Sequence, residues 1–462
     1  MIKNKKLKNK NTLNKIEFLI LAISFLIITF KTLLGTFISE YISLIPSILI
    51  IIWFIVMFFK KLINFKYYDL FLLIMFIVGI ISGLIHNHPV IAILYQIKSL
   101  GIYYLLFMII RNKYIDSFVK TKFLKIINTT TFIIIIFAIV EVLFSKAYLF
   151  PQQWISEIVF YDNFIRAYSL ICNPNLFGFY LLSVFIINKE FNLNFLRTKK
   201  GILYIILIFL GIIISVSRSA IIFTIVIMLI YFIVDLRKNK TNLFHLKKIF
   251  LFVLIIAITS VGIYKINNLY LSIDGTNRFL PDSDNNNDFS NNVDNNLENN
   301  NVDTSNDLNE EIILEETFLT RIASMFDANF LLNSLNNGRL AIINYGISIW
   351  QKNIFLGTGF SSFLSASSFL NENIEATKLG LTYADNQYIV ILVETGIIGV
   401  LSLLIFLILF IKNMFKNHQN NSILFTFLVM FFGLFINVLE VQLIMLLYFV
   451  FIGMCELKEN IE

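Results

Sequence analysis

Runs of mostly apolar residues recur along this chain from Ile16 to Met454, separated by short polar or charged stretches. A helix needs ~20 such residues to cross the hydrocarbon core of a bilayer. The chain is 57% hydrophobic, so it holds far more apolar side chains than one soluble core can bury. The sequence therefore predicts an all-α integral membrane protein and leaves no room for a soluble catalytic domain.

The apolar runs predict about twelve transmembrane helices, at 16–37, 42–59, 69–85, 89–110, 123–145, 165–187, 201–216, 219–236, 249–266, 387–411, 422–436 and 441–455. Threading them from a cytoplasmic start places the dense basic clusters on one side, as expected because Lys and Arg concentrate in cytoplasmic loops. These clusters lie at 60–66, 111–125, 197–200, 237–248 and 412–416. We interpret the basic N-terminus, residues 1–15, as a retained anchor and predict that it is cytoplasmic. The tail, residues 456–462, is also predicted to be cytoplasmic.

The same topology places one long loop, residues 267–386, on the external side of the membrane. This loop connects helices one to nine (16–266) to helices ten to twelve (387–455). Its first part, 281–316, is rich in Asn and acidic residues, contains no Lys or Arg, and is predicted to be disordered. Its second part, 317–386, regains aromatic and apolar residues. We expect this part to be structured, with short helices at the membrane surface.

Several classes of function are disfavoured by composition and motifs. The net charge of +7 comes mostly from residues that flank apolar runs, so it indicates topology rather than a nucleic-acid partner. Cys172 and Cys455 lie inside apolar runs, where a disulfide or metal pair is not expected. The sequence contains no phosphate-binding glycine loop, zinc spacing or serine triad, and its histidines form no ligand-like array. We predict neither a metal nor another cofactor.

Five arginines depart from the basic-inside rule, since all fall on or near the external face: Arg166, Arg218, Arg278, Arg321 and Arg339. A charge near the apolar boundary usually faces a wet cavity or a partner. Arg218 lies in SVSRSA, where two apolar runs meet with almost no linker. Its planar fork of donors suits a pyrophosphate. The alternative is snorkelling to lipid head groups, which is the preferred interpretation for Arg278.

Asn173, Pro174 and Asn175 fall about two turns inside the predicted sixth helix. Proline removes a backbone donor there, so we expect a break in the helix. Broken helices occur where the backbone lines a cavity, and the two Asn side chains could bind sugar hydroxyls. The alternative is a kink that serves packing only.

The segment YADNQYIVILVETGIIG, residues 383–399, brings Asp385 and Asn386 to the external end of the tenth helix, with Glu394 about two turns below. A carboxylate near a sugar hydroxyl can take its proton during attack. The alternatives are that Asp385 caps the helix and that Glu394 pairs with a buried Lys or Arg. Gly396 and Gly399 are predicted to allow close helix packing.

Four motifs in order carry a family resemblance: ICNPNLFGFYLL at 171, SVSRSA at 215, GRLAIINYGISIWQKNIFLGTGFSSF at 338 and DNQYIVILVETGIIG at 385. Together they resemble the O-antigen ligase and Wzy-type polysaccharide polymerase family. They cover about 165 to 411, and the first five helices contribute only hydropathy.

The resemblance implies a bacterial enzyme of the cytoplasmic membrane, with a fold related to the class C glycosyltransferases. It implies glycan transfer from an undecaprenyl-pyrophosphate carrier on the outer face, without a metal or nucleotide sugar. Carried over by motif, Arg218 and Arg339 are expected to grip the pyrophosphate, with Arg166 and Arg321 in support. Asp385 is the expected catalytic carboxylate, and the substrate-binding set adds Asn173, Asn175, Asn386 and Glu394.

Two departures bear on the choice of reaction. Ligases of the family usually carry His-Asn where this chain has Asp385-Asn386, and the usual Pro before Gly-x-Gly is missing from NIFLGTG. The first departure favours a polymerase that joins carrier-linked donor and acceptor units, with a flippase and a chain-length regulator as possible partners. A ligase that transfers finished glycan to another acceptor is the alternative. A lipid-linked oligosaccharide flippase is the second alternative, although we find no internal repeat of the kind that transporters show.

Overall fold

The computed structural model describes residues 2–112, 117–143, 149, 166–238, 339–371 and 384–456. Every regular element in these ranges is helical. The α-helices of seven residues or more are α1 (Ile2–Thr29), α2 (Lys31–Phe37), α3 (Ile45–Phe59), α4 (Tyr67–Ile85), α5 (Val90–Asn112), α6 (Ser117–Leu143), α7 (Pro174–Phe191), α8 (Lys199–Ile214), α9 (Arg218–Lys238), α10 (Arg339–Trp350), α11 (Gln387–Lys416), α12 (Asn420–Phe432) and α13 (Gln442–Glu456).

Within the described ranges, five helices are long and apolar enough to cross a membrane. They are Tyr41–Phe59, Tyr67–Ile85, Val90–Asn112, Phe118–Leu143 and Gln387–Lys416. The α1–α2 pair adds a sixth if it is one span, although it bends by 75°. This supports an all-helical integral membrane protein, while the count of twelve spans stays a prediction. The predicted helix at 249–266 and the predicted disordered segment 281–316 lie outside the described residues, as does Arg278.

Two predicted helices differ from the structure in where they begin or bend. The predicted helix 16–37 is divided into α1 and α2 by the bend at Phe30. The predicted helix 165–187 begins only at Pro174, so Asn173-Pro174-Asn175 lies at a helix start rather than inside a helix. The predicted break inside a helix is therefore wrong, because the residues described directly before Pro174 form only a short 3-10 turn at Ser169–Ile171, and the helix start was predicted about nine residues too early. Proline suits the first turn because no intrahelical donor is lost there.

The described helices form a bundle whose two ends can be recognised from polar contacts. At one end, Glu456 at the end of α13 accepts hydrogen bonds from Lys66 and Asn413. Farther along the same end, Asn421 at the start of α12 donates to Glu190 near the end of α7. The opposite end contains the starts of α7, α9, α11 and α13. The basic residues at 66 and 111 thus lie at the end away from the candidate site described below.

A loop, residues 353–360, is inserted between α4 and α11 and breaks α11. Gly396 interrupts α11 with φ +60° and ψ −166°, and the loop takes over the hydrogen bonds that the helix loses. Thr358 N donates to the Val393 carbonyl at 2.8 Å, and Ile397 N donates to the Ile354 carbonyl at 2.9 Å. The Ser82 hydroxyl of α4 donates to the Gly357 carbonyl at 2.7 Å and holds the other side of the loop.

Replacing Gly396 with Ala is expected to destabilise the protein by ~1–3 kcal/mol, because its backbone conformation is essentially restricted to glycine. An added Cβ would also overlap backbone atoms of Phe355 and Gly357. The measurement is the midpoint of thermal unfolding in detergent. Gly101→Ala is the matched control, because a Cβ added to this helical glycine would have its nearest neighbour, a Phe76 ring carbon, at 3.3 Å. Equal midpoints for the two variants would contradict the expectation.

Candidate functional site

A polar cluster lies where α8 ends and α9 begins. The Arg166 guanidinium donates to the Asn175 side-chain oxygen at 2.9 Å and to the Ser215 carbonyl at 3.2 Å. The same Asn175 oxygen accepts a hydrogen bond from the Ser217 hydroxyl at 3.0 Å. Arg218 follows Ser217 directly and is half-buried at the first position of α9. The structure therefore brings Arg166, Asn175 and the serines beside Arg218 together at one mouth of the bundle.

The two asparagines of the NPN motif have different local roles. The Asn173 side-chain oxygen caps α7 by accepting from the backbone N–H groups of Asn175 and Leu176, both at 3.0 Å. Such a cap satisfies donors that have no partner within the helix. The Asn175 oxygen instead tethers Arg166 to the serine turn. Sugar binding by either residue stays a prediction.

Asp385 lies at the start of α11, half-buried and one residue before the helix cap. Asn386, not Asp385, is the cap: its side-chain oxygen accepts from Tyr388 N at 3.0 Å and Ile389 N at 3.1 Å. The Asn386 amide donates to the Leu434 carbonyl at 3.3 Å. The backbone N–H of Ala384 donates to the Leu364 carbonyl at 3.1 Å. Hydrogen bonds of Ala384 and Asn386 therefore fix the backbone on both sides of Asp385.

The arginine cluster and Asp385 lie at the same end of the bundle. Gln387 N donates to the Gly433 carbonyl at 2.8 Å, so the start of α11 is joined to the end of α12. Next to Gly433, the Phe432 ring stacks on Phe179 with centroids 4.0 Å apart. Phe432 also meets Phe223 edge-on at 6.5 Å. Phe179 and Phe223 are the apolar residues about one turn inside Asn175 and Arg218, so the end of α12 links both parts of the site.

The Glu394 side chain is buried and is not exposed at this end of the bundle. It is 1% exposed and accepts from Ser361 N at 3.0 Å, the Ser365 hydroxyl at 2.7 Å and the Gln96 amide at 3.4 Å. Within the described residues, its partners are these donors rather than the lysine or arginine considered as an alternative. The Gln96 amide also donates to Glu440 at 2.6 Å.

Of the two remaining arginines of the predicted site, the structure describes only the backbone of Arg339. Arg339 is the first residue of α10, a helix within the segment predicted to be external, and its side chain lies outside the described part of the structure. The α10 helix packs on α11, where an added Cβ at Gly346 would meet Ile389. Arg321 lies outside the described residues.

Sequence reasoning missed Gln96, Glu440 and the serines of the segment SSFLSASS at 361–368. The density of serine in a loop after Gly-x-Gly was one usable signal. Gln96 was a second, because a polar residue inside an apolar run is a functional or structural candidate. Glu440 carried no such signal, since it lies in the connection between the predicted helices 422–436 and 441–455. No local spacing connects the three elements, so their meeting could be seen only in the fold.

Two histidines join the α4–α5 turn to the inserted loop. His88 Nδ1 lies 2.9 Å from the Phe360 carbonyl and donates to it, and His86 Nε2 lies 3.2 Å from the Asn353 amide. Burial lowers the pKa of His88, the hydrogen bond to Phe360 opposes the shift, and the nearby His86 adds to it. His88 therefore stays neutral near pH 7 and serves as a hydrogen-bond donor. Across the ranges that the structure covers, no group of three or more His, Cys, Asp or Glu side chains could hold a metal ion.

Comparison with known protein families supplies one further finding. A family model described as O-antigen ligase matches residues 203–404, which is less than half of the chain. This match confirms the resemblance predicted from the motifs. The matched region contains Arg218, Arg339 and Asp385, whereas Arg166 and Asn175 precede it. No curated protein and no solved structure matches the chain.

Proposed function

Residues 203–404 carry a domain of the O-antigen ligase family, and on this premise we propose that the protein is a polysaccharide polymerase. It joins undecaprenyl-pyrophosphate-linked repeat units on the outer face of a bacterial cytoplasmic membrane. The observation that carries the proposal is the arrangement of two half-buried arginines, Arg166 and Arg218, at the same bundle end as the Asp385 carboxylate. This arrangement combines pyrophosphate recognition with a proton acceptor.

The reaction breaks the bond between the anomeric carbon of the donor glycan and its pyrophosphate oxygen. A hydroxyl oxygen of the acceptor glycan forms the new bond to that carbon, and its proton passes to the Asp385 carboxylate. The electron pair of the broken bond stays on the pyrophosphate, where Arg218 and Arg166 stabilise the added charge. Fixed cations aimed at a developing charge are usually the largest contribution in such a site.

Arg339 is proposed to complete this anion site from α10, and Arg321 to support it. Asn175 is proposed to act mainly through Arg166, because its side-chain oxygen already accepts from both Arg166 and Ser217. Asn173 and Asn386 cap helices and hold the two sides of the mouth in place. The mechanism uses side chains alone and requires no metal or nucleotide sugar.

The choice of polymerase over ligase rests on Asp385-Asn386, where family ligases usually present His-Asn. A ligase that transfers finished glycan to a different acceptor is the second candidate, and the O-antigen ligase description of the matching family favours it. In both cases the donor is a carrier-linked glycan held at the membrane surface. A flippase that delivers units and a regulator of chain length are the proposed partners.

Deletion of the gene in the native host is expected to leave single repeat units on the carrier and to remove long glycan chains, as resolved by gel electrophoresis of surface and lipid-linked glycans. Re-expression of the wild-type chain should restore the long chains. Accumulation of long polymer on the carrier would instead identify a ligase. Unchanged surface and carrier-linked glycans would contradict both candidates.

A further inference from the structure

The buried carboxylates of Glu394 and Glu440 are not part of the mechanism above, and they share one donor. The Gln96 amide nitrogen donates one hydrogen to each, at 3.4 Å and 2.6 Å. The Ser367 hydroxyl donates to the Gln96 oxygen at 2.9 Å and so fixes the orientation of the amide. Gln96 is 0% exposed, and the two glutamates are 1% and 7% exposed. All three side chains are thus enclosed by protein.

Further donors to both glutamates come from the serine loop, which we define as residues 361–368. Glu394 accepts from Ser361 N and the Ser365 hydroxyl, and Glu440 accepts from Ala366 N at 2.8 Å. Burying a carboxylate is costly unless hydrogen bonds compensate for the lost water. Most of these compensating donors are supplied by a single loop. The network therefore holds the serine loop at one position relative to α5, α11 and the segment before α13.

The serine loop in turn fixes the residue before Asp385. Leu364 lies between Ser361 and Ser365, and its carbonyl accepts from Ala384 N at 3.1 Å. Leu364 and Ala384 are both fully buried in one apolar cluster with Phe363 and Val390. The path from Glu394 through Ser365 and Leu364 to Ala384 is continuous and ends one residue from the proposed catalytic carboxylate.

We infer that Gln96, Glu394 and Glu440 are positioning residues for Asp385, which they align with the arginine cluster by holding the serine loop against Ala384. This inference rests on the proposed function. It reassigns Glu394 from substrate binding to alignment of the catalytic carboxylate. It also gives a role to Gln96 and Glu440, neither of which was among the residues predicted for the site.

The test compares Glu394→Gln with Glu190→Gln in the full-length protein, purified in lipid nanodiscs and supplied with carrier-linked repeat units. In Glu394→Gln, the new side-chain amide would direct its own hydrogens at the Gln96 amide, so the contact between them is lost. We expect kcat to fall by about tenfold or more with KM for the donor unchanged, since a misplacement of ~1 Å can cost ~100-fold in rate. Glu190 is the matched control, because its carboxylate also accepts from an amide, Asn421, at 2.6 Å but at the opposite bundle end.

A tether gives a second readout, which is measured as kcat per folded molecule because a disulfide also stabilises the fold. The backbone hydrogen bond between Leu364 and Ala384 suggests that cysteines at both positions can be oxidised to a disulfide. We expect oxidation to restore most of the kcat of Glu394→Gln in a chain whose native cysteines are replaced by serine. Ser365→Ala removes only one donor and serves as a milder variant if Glu394→Gln does not fold.

The inference would be overturned by wild-type kcat for Glu394→Gln, or by a raised KM with unchanged kcat, which would indicate direct substrate contact. Gln96→Leu should not add to the defect of Glu394→Gln, because coupled residues act through the same contact. Full additivity would also count against a shared network. Wild-type activity of Asp385→Asn would instead contradict the proposed function, so the two failures are distinguishable.

Discussion

Arg218→Ala is expected to abolish long glycan chains in the native host while single-repeat products persist. Arg218 is half-buried at the first position of α9, beside the Ser217 hydroxyl that is tethered to Asn175. Removing one preorganised charge-stabilising donor typically lowers kcat by ~100- to 1,000-fold. With purified protein, the loss should appear in kcat and kcat/KM together, because the guanidinium acts on charge that develops as the pyrophosphate leaves.

Arg218→Lys separates charge from geometry. A lysine keeps the positive charge but not the planar fork, so it should recover only part of the activity. Arg197→Ala is the control, because Arg197 is exposed in the connection between α7 and α8. Normal chain lengths for Arg218→Ala at normal expression would remove Arg218 from the site. An equal defect in Arg197→Ala would indicate a general effect of lost charge.

Most helices could be predicted from hydropathy because the bilayer imposes a length and a composition on each span. The predicted runs 69–85 and 89–110 are close to α4, Tyr67–Ile85, and α5, Val90–Asn112. Both spans are predominantly apolar, although α5 contains Gln96 and Lys98, and charged or polar residues flank both spans and set their boundaries. The start of α7 was missed because the apolar run continues across it. An Asn cap followed by Pro at the first position would have marked that start.

The break in α11 could not be predicted from local sequence. Gly396 was interpreted as a site of close helix packing, and the structure does show close contact with a neighbouring segment. The contact is a loop that supplies donors and acceptors to a broken helix, and the loop lies about forty residues earlier in the chain. A positive φ at a glycine is set by its partners in space, which a single sequence does not identify.

Only part of the candidate site could be predicted from the sequence, because contacts between segments far apart in the chain leave no local signal. Arg166, Asn175 and Arg218 come together because the start of α7 and the short connection between α8 and α9 lie at the same end of three consecutive helices. Glu394 was expected at the mouth because it lies two turns below Asp385 on the same helix. The serine loop covers it, and helical spacing carries no information about a loop from elsewhere in the chain.

Arg111 shows the limit of reading basic residues as topology signals. By sequence it belongs to the basic cluster at 111–125, which is predicted to be cytoplasmic. The structure places its guanidinium against the Asp69 carboxylate, with side-chain exposures of 1% and 6%. Arg111 also donates to the Tyr68 hydroxyl at 3.1 Å and the Asn64 carbonyl at 2.9 Å, and the Tyr104 hydroxyl donates to Asp69. This ion pair joins the start of α4 to the end of α5.

Arg111→Ala is therefore expected to destabilise the protein by ~3–5 kcal/mol, because it leaves the buried Asp69 carboxylate without its cation. The measurement is the thermal midpoint and the fraction of monodisperse protein in detergent. Activity per folded molecule should stay near wild type, since the pair lies at the bundle end opposite Arg218 and Asp385. A variant with normal stability and lost activity would contradict this separation of roles.

Two further variants test whether the effect comes from an unpaired buried charge. Replacing both partners, Arg111→Met with Asp69→Leu, should cost less than Arg111→Ala alone, because apolar substitution of a whole buried pair is often neutral. Lys66→Ala should have a small effect of ~0–1 kcal/mol, since its 3.3 Å pair with Glu456 is partly exposed. If the double variant is as unstable as Arg111→Ala, the packing of the long Arg111 side chain rather than its charge joins α4 to α5.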